Sequence, residues 1–339
     1  MGSLWGNCQG RDLVTARRQA TAASPFMIEC SPSALQISWG VFKLCTIIEP
    51  TPTSIDFSHL MSTLHTRSAL ASRHIALPQD HGSWVFILSP LLIGLFAGGS
   101  FTLASLLLVV AALAAFLVRQ PVTIAVKAYS GRRSRRDLPA AIFWMAVYAA
   151  IGLISLAGLI LQGFGYLLYL ALPGLPVFAW HLYLVSQRAE RRQAGIEILG
   201  SGALALAAPA AMWVGQGEPT QIGWLLFGLV WLQSAASIVY AYLRLDQRSL
   251  NSMTNLTARL KMGRRALLYT SFNWVAAMIL AIIGCVPPLI PIAYAIQWAE
   301  SIWGALLKPA VGLKPTTIGF RQLTVSTLFT IAFILAWNF

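Results

Sequence analysis

This sequence contains unusually few charged residues. Only 10% of its 339 residues are charged, while 57% are hydrophobic. A soluble domain carries about 25% charged residues. So little charge cannot cover a globular surface in water, which excludes an ordinary soluble protein. We therefore expect the lipid bilayer to be the main solvent and partner of this chain.

Acidic residues are scarcer still. The sequence has 11 Asp and Glu against 24 Lys and Arg, for a formal net charge of +13. In a soluble chain this excess would suggest nucleic acid as a partner. In a membrane protein it is typical of cytoplasmic loops. We therefore expect no nucleic-acid partner.

Cysteine pairs and familiar catalytic motifs are absent from the sequence. The four cysteines form no CxxC pair and have no metal-ligand spacing. There is no Walker loop, no GxSxG, no HExxH and no histidine pair at haem-ligand spacing. These observations predict no disulfide framework and no metal site, and they leave the catalytic residues, if the protein is an enzyme, unassigned.

The first 75 residues lack both amphipathic periodicity and a long apolar run. We expect residues 1–76 to form a poorly ordered N-terminal extension, followed by a membrane domain over residues 77–339. Met61 opens a segment typical of a short cytoplasmic N-terminus, which favours a wrongly assigned upstream start for residues 1–60. A basic transit peptide is the alternative.

The rest of the chain contains nine apolar windows of about the length needed to cross a bilayer. They predict an all-α, polytopic membrane bundle of about nine transmembrane helices. The first two windows are separated only by Gly98, Gly99 and Ser100, which predicts a tight helical hairpin. The windows are 83–99, 101–118, 139–162, 165–186, 196–215, 221–243, 267–284, 286–305 and 322–338.

The loops between these windows sort by charge. Alternate loops hold every Lys and Arg that follows the first window, and the other loops (AGGS, QGFG, QGEPT and CVPP) hold none. The positive-inside rule places the basic loops in the cytoplasm, so the N-terminus lies inside and the C-terminus outside. We expect the bacterial cytoplasmic membrane or another internal membrane, such as the thylakoid.

Polar side chains within the windows lie mainly in the predicted cytoplasmic half. Because a polar group in hydrocarbon is costly, it usually faces the bundle interior or a wet cavity. The pattern predicts a polar cavity that opens to the cytoplasm. Its candidate lining residues are Asp80, His81, His181, Glu197, Tyr240, Asp246, Asn273, Gln297 and Glu300.

Simpler roles stay open for several of these residues. His181 and Asn273 could each bond a neighbouring helix only, and His81 and Glu197 could lie at headgroup level. Glu300 is harder to explain in this way, because a carboxylate within a span needs a partner or a proton. Its expected partner is an Arg or Lys of a neighbouring loop, or His181.

The basic loops offer candidate ligands for an anionic headgroup. Arginine binds phosphate through a bidentate fork, and a cationic rim over a cavity in one leaflet would suit an anionic amphiphile. The alternative is topology determination with general attraction to anionic lipid. The candidate headgroup residues are Arg119, Lys127, Arg244, Arg248 and Lys308.

Two short segments carry a resemblance to a known family. The segment PQDHGSW, residues 78–84, resembles the P-x-x-H-G-x-W opening of the YwiC-like bacterial membrane proteins, and residues 314–333 resemble their C-terminal segment. The resemblance would cover residues 77–339. It implies a multispanning membrane protein and no particular reaction.

The architecture also resembles the UbiA-type intramembrane prenyltransferases. Those enzymes hold Mg²⁺ and a prenyl diphosphate with two Asp-rich loop motifs. The corresponding loops here offer only Asp137 and Asp246. Mg²⁺ is thus implied as a cofactor only if the protein is prenyltransferase-like, and no other cofactor is indicated.

Three functions therefore stay open. The protein could be a prenyltransferase-like enzyme, or a binder of a prenyl diphosphate or another phosphorylated amphiphile. It could be a non-catalytic membrane subunit or assembly factor, whose protein partners the sequence does not name. It could be a transporter, although an odd number of spans and the lack of an evident inverted repeat argue against that.

Overall fold

The computed structural model describes residues 73–78, 81–187, 194–252 and 255–339. The chain divides after Ile55 into two units, and all described residues lie in the second, Asp56–Phe339. Within the described residues the secondary structure is helical, with no β-strand. This confirms the predicted all-α class.

Eleven α-helices are present in the described residues. They are α1 (Arg73–Ala76), α2 (Val85–Gly98), α3 (Leu103–Tyr129), α4 (Leu138–Leu161), α5 (Ala171–Ser186), α6 (Ala194–Ala205), α7 (Ala207–Gln216), α8 (Gln221–Arg248), α9 (Leu256–Ile282), α10 (Ile290–Ile302) and α11 (Pro315–Asn338). Short 3₁₀ segments precede α2, α4 and α5, and a π-helical turn, Trp303–Leu307, continues α10.

Seven helical segments of the described chain are long and apolar enough to cross a bilayer. A shorter apolar helix, Gly82–Gly98, precedes them. The protein is therefore a multispanning helical membrane protein. The seven segments are Leu103–Tyr129, Arg135–Leu161, Gly165–Ser186, Ala194–Gln216, Gln221–Arg248, Leu256–Ile282 and Pro315–Asn338.

Each of the nine predicted windows contains a helix, but several helices extend well beyond the window. Helix α3 runs to Tyr129, past the window that ends at residue 118, and α9 begins at Leu256 rather than at residue 267. The extra turns carry arginine and lysine, which are good helix formers and keep their charged ends in water. Hydropathy marks the lipid-embedded length of a helix and misses such polar ends.

The turn between α2 and α3 is tight, but the predicted hairpin does not form along the helices. Gly99 has a left-handed φ of 75° and ends α2. Beyond the turn, α2 packs chiefly against α7 and α11. A Cβ on Gly98 would lie 2.9 Å from the carbonyl oxygen of Met212, and one on Gly94 would overlap Ala208. Glycines thus allow the close approach of α2 and α7.

Helix α8 occupies the centre of the second half of the bundle. It packs against α6, α7, α9, α10 and α11. More than half of its apolar window is buried, as is that of α6–α7, whereas less than a fifth is buried in α4 and in α5. Polar side chains on α8 therefore face other helices, which is how lipid-embedded bundles satisfy polar groups.

Helix α1 packs against the same bundle. Ile75 is buried beside Ile124 and Ala140, and the Tyr148 hydroxyl donates to the carbonyl oxygen of Ala76 over 3.1 Å. Four residues of the predicted extension thus join the packing of α3 and α4. Residues 1–72, which hold the rest of that extension, lie outside the described residues.

Candidate functional site

Glu300 on α10 lies at the centre of a hydrogen-bonded group of side chains. Its carboxylate accepts from Arg321 Nε at 2.6 Å and from Arg321 Nη2 at 2.7 Å. The Tyr240 hydroxyl donates to Glu300 Oε1 at 2.7 Å. The Glu300 side chain is 8% exposed, against 40% for Arg321. A bidentate ion pair thus neutralises the carboxylate that the sequence places within an apolar window.

The Trp303 ring packs against the arginine of this ion pair. It lies in the π-helical turn that follows α10, and the Arg321 guanidinium carbon lies 3.5 Å from its ring centroid. The Lys308 ammonium lies 5.7 Å from the same ring. Both distances fit cation–π contacts. The indole is therefore in contact with two cationic side chains.

Arg244 on α8 is the buried cation of the site. Its Nη1 donates to the carbonyl oxygens of Gly304 and Lys308, each at 2.7 Å, and to Gln247 Oε1 at 3.1 Å. Those carbonyls end the helical segment formed by α10 and the π-turn, where the helix dipole is negative. Arg244 thus caps that segment with a positive charge. We call Tyr240, Arg244, Glu300, Trp303 and Arg321 the inner cluster.

The glycine at 304 makes this arrangement sterically feasible. A Cβ there would overlap the Tyr240 hydroxyl and lie 3.1 Å from Arg244 Nη1. The π-turn is closed by the Lys308 N–H, which donates to the Trp303 carbonyl at 2.8 Å. A π-turn adds one residue to a helical turn and is often found at functional sites.

Side chains of α8 and α9 also hold the π-turn and the segment after it. Gln247 Oε1 accepts from the Ala310 N–H at 3.1 Å. Arg248 Nε donates to the Leu313 carbonyl at 3.0 Å, and Arg259 Nη1 donates to the Leu306 carbonyl at 2.8 Å. Basic side chains that the sequence places in one loop therefore also fix the backbone beside the inner cluster.

A second polar group lies further along the same helices. Gln233 Nε2 on α8 donates to Gln297 Oε1 on α10 at 3.5 Å. Asn273 Nδ2 on α9 donates to the carbonyl oxygen of Leu232 at 2.7 Å. All three amides are buried. We call Gln233, Asn273 and Gln297 the amide group.

The predicted cavity residues fall into several places. Tyr240 and Glu300 belong to the inner cluster, and Gln297 and Asn273 belong to the amide group. Asp246 is exposed at the end of α8. Of the pair before α2, Asp80 and the side chain of His81 lie outside the described residues.

Two other cavity candidates lie around α6. Glu197 is exposed and accepts from the Tyr242 hydroxyl at 2.6 Å. His181 lines a separate pocket of about 300 Å³ between α5 and α6, whose other walls include Trp180 and Leu199. Most of the residues that line this pocket are apolar.

The predicted headgroup residues are likewise divided. Arg244 is buried in the inner cluster, and Arg248 and Lys308 are exposed beside it. Arg119 and Lys127 are half-buried on α3, where the Arg119 guanidinium carbon lies 5.8 Å from the Phe116 ring centroid.

Sequence reasoning missed Arg321, Trp303 and Gln247 as site residues. Arg321 was counted only as a loop cation, although a loop cation is one of the partners expected for Glu300. Trp303 and Gln247 carry no sequence signal that separates them from other aromatic and amide residues. Among the described residues, no three His, Cys, Asp or Glu side chains lie close enough together to hold a metal ion.

Comparison with known proteins gives a partial match to one family. Residues 77–212 match the family model described as "YwiC-like protein". The chain is also 29% identical over 165 residues to a relative from Bacillus subtilis (strain 168) named "Uncharacterized protein YwiC". That alignment covers 47% of this chain and 61% of the relative, so the chain spans about three fifths of the relative's length.

No solved structure matches the chain. The inner cluster and the amide group lie beyond residue 212, outside the family match. The match begins just before Pro78, His81, Gly82 and Trp84, which carry the resemblance seen in the sequence. Over residues 77–212 that resemblance is confirmed, and this part of the multispanning membrane protein is similar to the YwiC-like family.

Proposed function

We propose that the protein binds an amphiphile with an anionic, phosphate-bearing headgroup beside the inner cluster. The observation that carries this proposal is the excess of positive charge there. Arg244 and Arg321 contribute two guanidinium groups, and Glu300 contributes one carboxylate. Lys308 adds a third positive charge, an ammonium group that contacts the Trp303 ring as Arg321 does. An anion at this place would gain from charges that the protein already holds in position.

The Nη1 group of Arg321 is a suitable donor for such a headgroup. The other two guanidinium nitrogens, Nε and Nη2, donate to Glu300. The side chain is 40% exposed, so a ligand can reach it. An oxygen of a phosphate between Arg321 Nη1 and the Lys308 ammonium would accept charge-assisted hydrogen bonds from both.

The proposed orientation sets this site at the cytoplasmic side of the membrane. In that orientation nine helices cross the bilayer, with the N-terminus inside and the C-terminus outside. The asymmetric distribution of Lys and Arg among the loops supports it. A polar cavity open to the cytoplasm would then admit the headgroup, while its prenyl or acyl tail stays in the inner leaflet. The membrane would be the bacterial cytoplasmic membrane or another internal membrane.

A pair of lysine variants in lipid nanodiscs tests this function. Native mass spectrometry would compare binding of phosphatidic acid with binding of diacylglycerol, which has the same tails and no phosphate. We expect Lys308→Gln to weaken phosphatidic acid binding about fivefold, because one cation near an anionic headgroup contributes about 1 kcal/mol. Lys314→Gln, at an exposed lysine just before α11, is the matched control and should have a much smaller effect.

Two results would overturn the proposal. One is equal binding of phosphatidic acid and diacylglycerol by the unmodified protein. The other is an equal loss of binding in the two lysine variants, because that would reduce the effect to general attraction by surface charge.

A further inference from the structure

The amide group has more hydrogen-bonding capacity than its neighbours use. Gln297 is 1% exposed, Asn273 is 3% exposed and Gln233 is 6% exposed. Gln233 Oε1, Asn273 Oδ1 and Gln297 Nε2 are buried and have no hydrogen-bond partner among the described residues. Buried polar atoms are nearly always paired with protein or with bound water. These three buried atoms without a partner therefore need an explanation.

Reassigning the amide orientations does not remove the open atoms. If the oxygen and nitrogen of Gln233 and of Gln297 are exchanged together, the same bond forms in the opposite direction. One acceptor and one donor still remain open. The bond itself is 3.5 Å long, which lies beyond the usual range for N–H···O contacts. The amide–amide bond is thus weak, and each of the two amides keeps one open atom.

The three amides lie at the same level of the bundle. Gln297 and Gln233 are joined directly, and Asn273 bonds the residue before Gln233. Trp298 stacks on Trp274 with ring centroids 4.5 Å apart, which brings the neighbours of Gln297 and Asn273 together. One turn further along α10, Ser301 Oγ is also buried without a partner among the described residues.

The chemistry of these atoms indicates what they bind. Gln233 Oε1 and Asn273 Oδ1 accept hydrogen bonds, Gln297 Nε2 donates, and the Ser301 hydroxyl can do either. A hydroxyl group both donates and accepts, so it matches this set. A charged group would lose its hydration here with only neutral amides in return, which is costly inside a membrane.

We propose that the amide group binds a neutral hydroxyl-bearing ligand, which is either water or the alcohol headgroup of a lipid. This site is distinct from the anionic-headgroup site and rests on a different observation. Beyond it, the Tyr294 hydroxyl donates to the Leu229 carbonyl at 2.9 Å, and apolar packing resumes. On that side the hydroxyl site is therefore bounded by a tyrosine whose hydroxyl is already paired and by apolar side chains.

A high-resolution structure of the unmodified protein in nanodiscs tests this proposal directly. We expect density within hydrogen-bonding distance of Gln233 and Gln297. An isolated peak identifies the ligand as water, and a peak that continues into a chain identifies it as a lipid alcohol. Well-ordered amide side chains with no density between them would overturn the proposal.

The near-isosteric double variant Gln233→Met/Gln297→Met provides a second test, because it removes both partners of the amide–amide bond and leaves neither one stranded. If the amides hold a ligand, their loss should lower the melting temperature by about 3 °C. If their open atoms are simply unpaired, removing both amides should leave the melting temperature unchanged or raise it, and the proposal fails. Gln162→Met, at an exposed turn after α4, controls for the effect of methionine. Neither test depends on phosphatidic acid binding, so this site and the proposed headgroup site can fail independently.

Discussion

The buried ion pair predicts an unequal response when either of its two members is neutralised. In Arg321→Gln, the Glu300 carboxylate stays at 8% exposure and loses two charge-assisted hydrogen bonds of 2.6 Å and 2.7 Å. In Glu300→Gln, the Arg321 guanidinium is left alone, but its side chain is 40% exposed and can be hydrated. We therefore expect Arg321→Gln to be the more damaging change.

The magnitude follows from the exposure of the two partners. Breaking a fully buried pair by removing one member costs about 3–5 kcal/mol, because an unpaired charge stays buried. Partial exposure of Arg321 reduces this, and we expect about 2–3 kcal/mol for Arg321→Gln. For Glu300→Gln we expect a loss of about 1 kcal/mol in the free energy of unfolding. The unpaired guanidinium can be hydrated, and the new amide oxygen can still accept from the Tyr240 hydroxyl. The variants should lower the melting temperature in the same order.

Thermal unfolding of the purified protein in nanodiscs measures this difference. The double variant Glu300→Gln/Arg321→Gln completes the cycle and should be more stable than Arg321→Gln alone, because no charge is then left unpaired. Two results would refute this expectation. One is a lower stability of Glu300→Gln than of Arg321→Gln, and the other is a double variant whose loss of stability equals the sum of the two single losses.

Two further predictions concern the steric fit of the site and the orientation of the chain. Gly304→Ala should lower stability by about 1–3 kcal/mol, because the added methyl group overlaps the Tyr240 hydroxyl; Gly319→Ala, with open space at its Cβ, should be neutral or slightly stabilising in the same thermal assay. Cys285 is exposed in a loop predicted to lie outside, so a membrane-impermeant maleimide should label it in right-side-out spheroplasts, and Cys285→Ser should abolish that signal. In a variant whose Cys8, Cys30 and Cys45 are replaced by Ser, labelling of Cys285 only after permeabilisation would contradict the proposed topology.

Around α10, the structure decides a pairing that the sequence leaves open. The sequence places Glu300 in an apolar window and requires a partner for it, but it offers a basic residue in a neighbouring loop or His181. The structure selects Arg321, because α11 packs against α10 and carries that side chain alongside the carboxylate. His181 lies instead in the pocket between α5 and α6. Spacing along the chain could not separate these partners.

Local patterns alone determined the membrane character and the helical class of this protein, together with the approximate position of its apolar segments. They could do so because low charge and long hydrophobic runs leave only lipid as a solvent, and a backbone in lipid must satisfy its own hydrogen bonds. The tertiary structure decided which helices meet. It separated α2 from α3, centred the bundle on α8, and joined Tyr240, Arg244 and Arg321 around Glu300 and the π-turn. Those outcomes depend on glycine contacts, ring stacking and charge neutralisation between segments far apart in the chain, and no single window of sequence contains them.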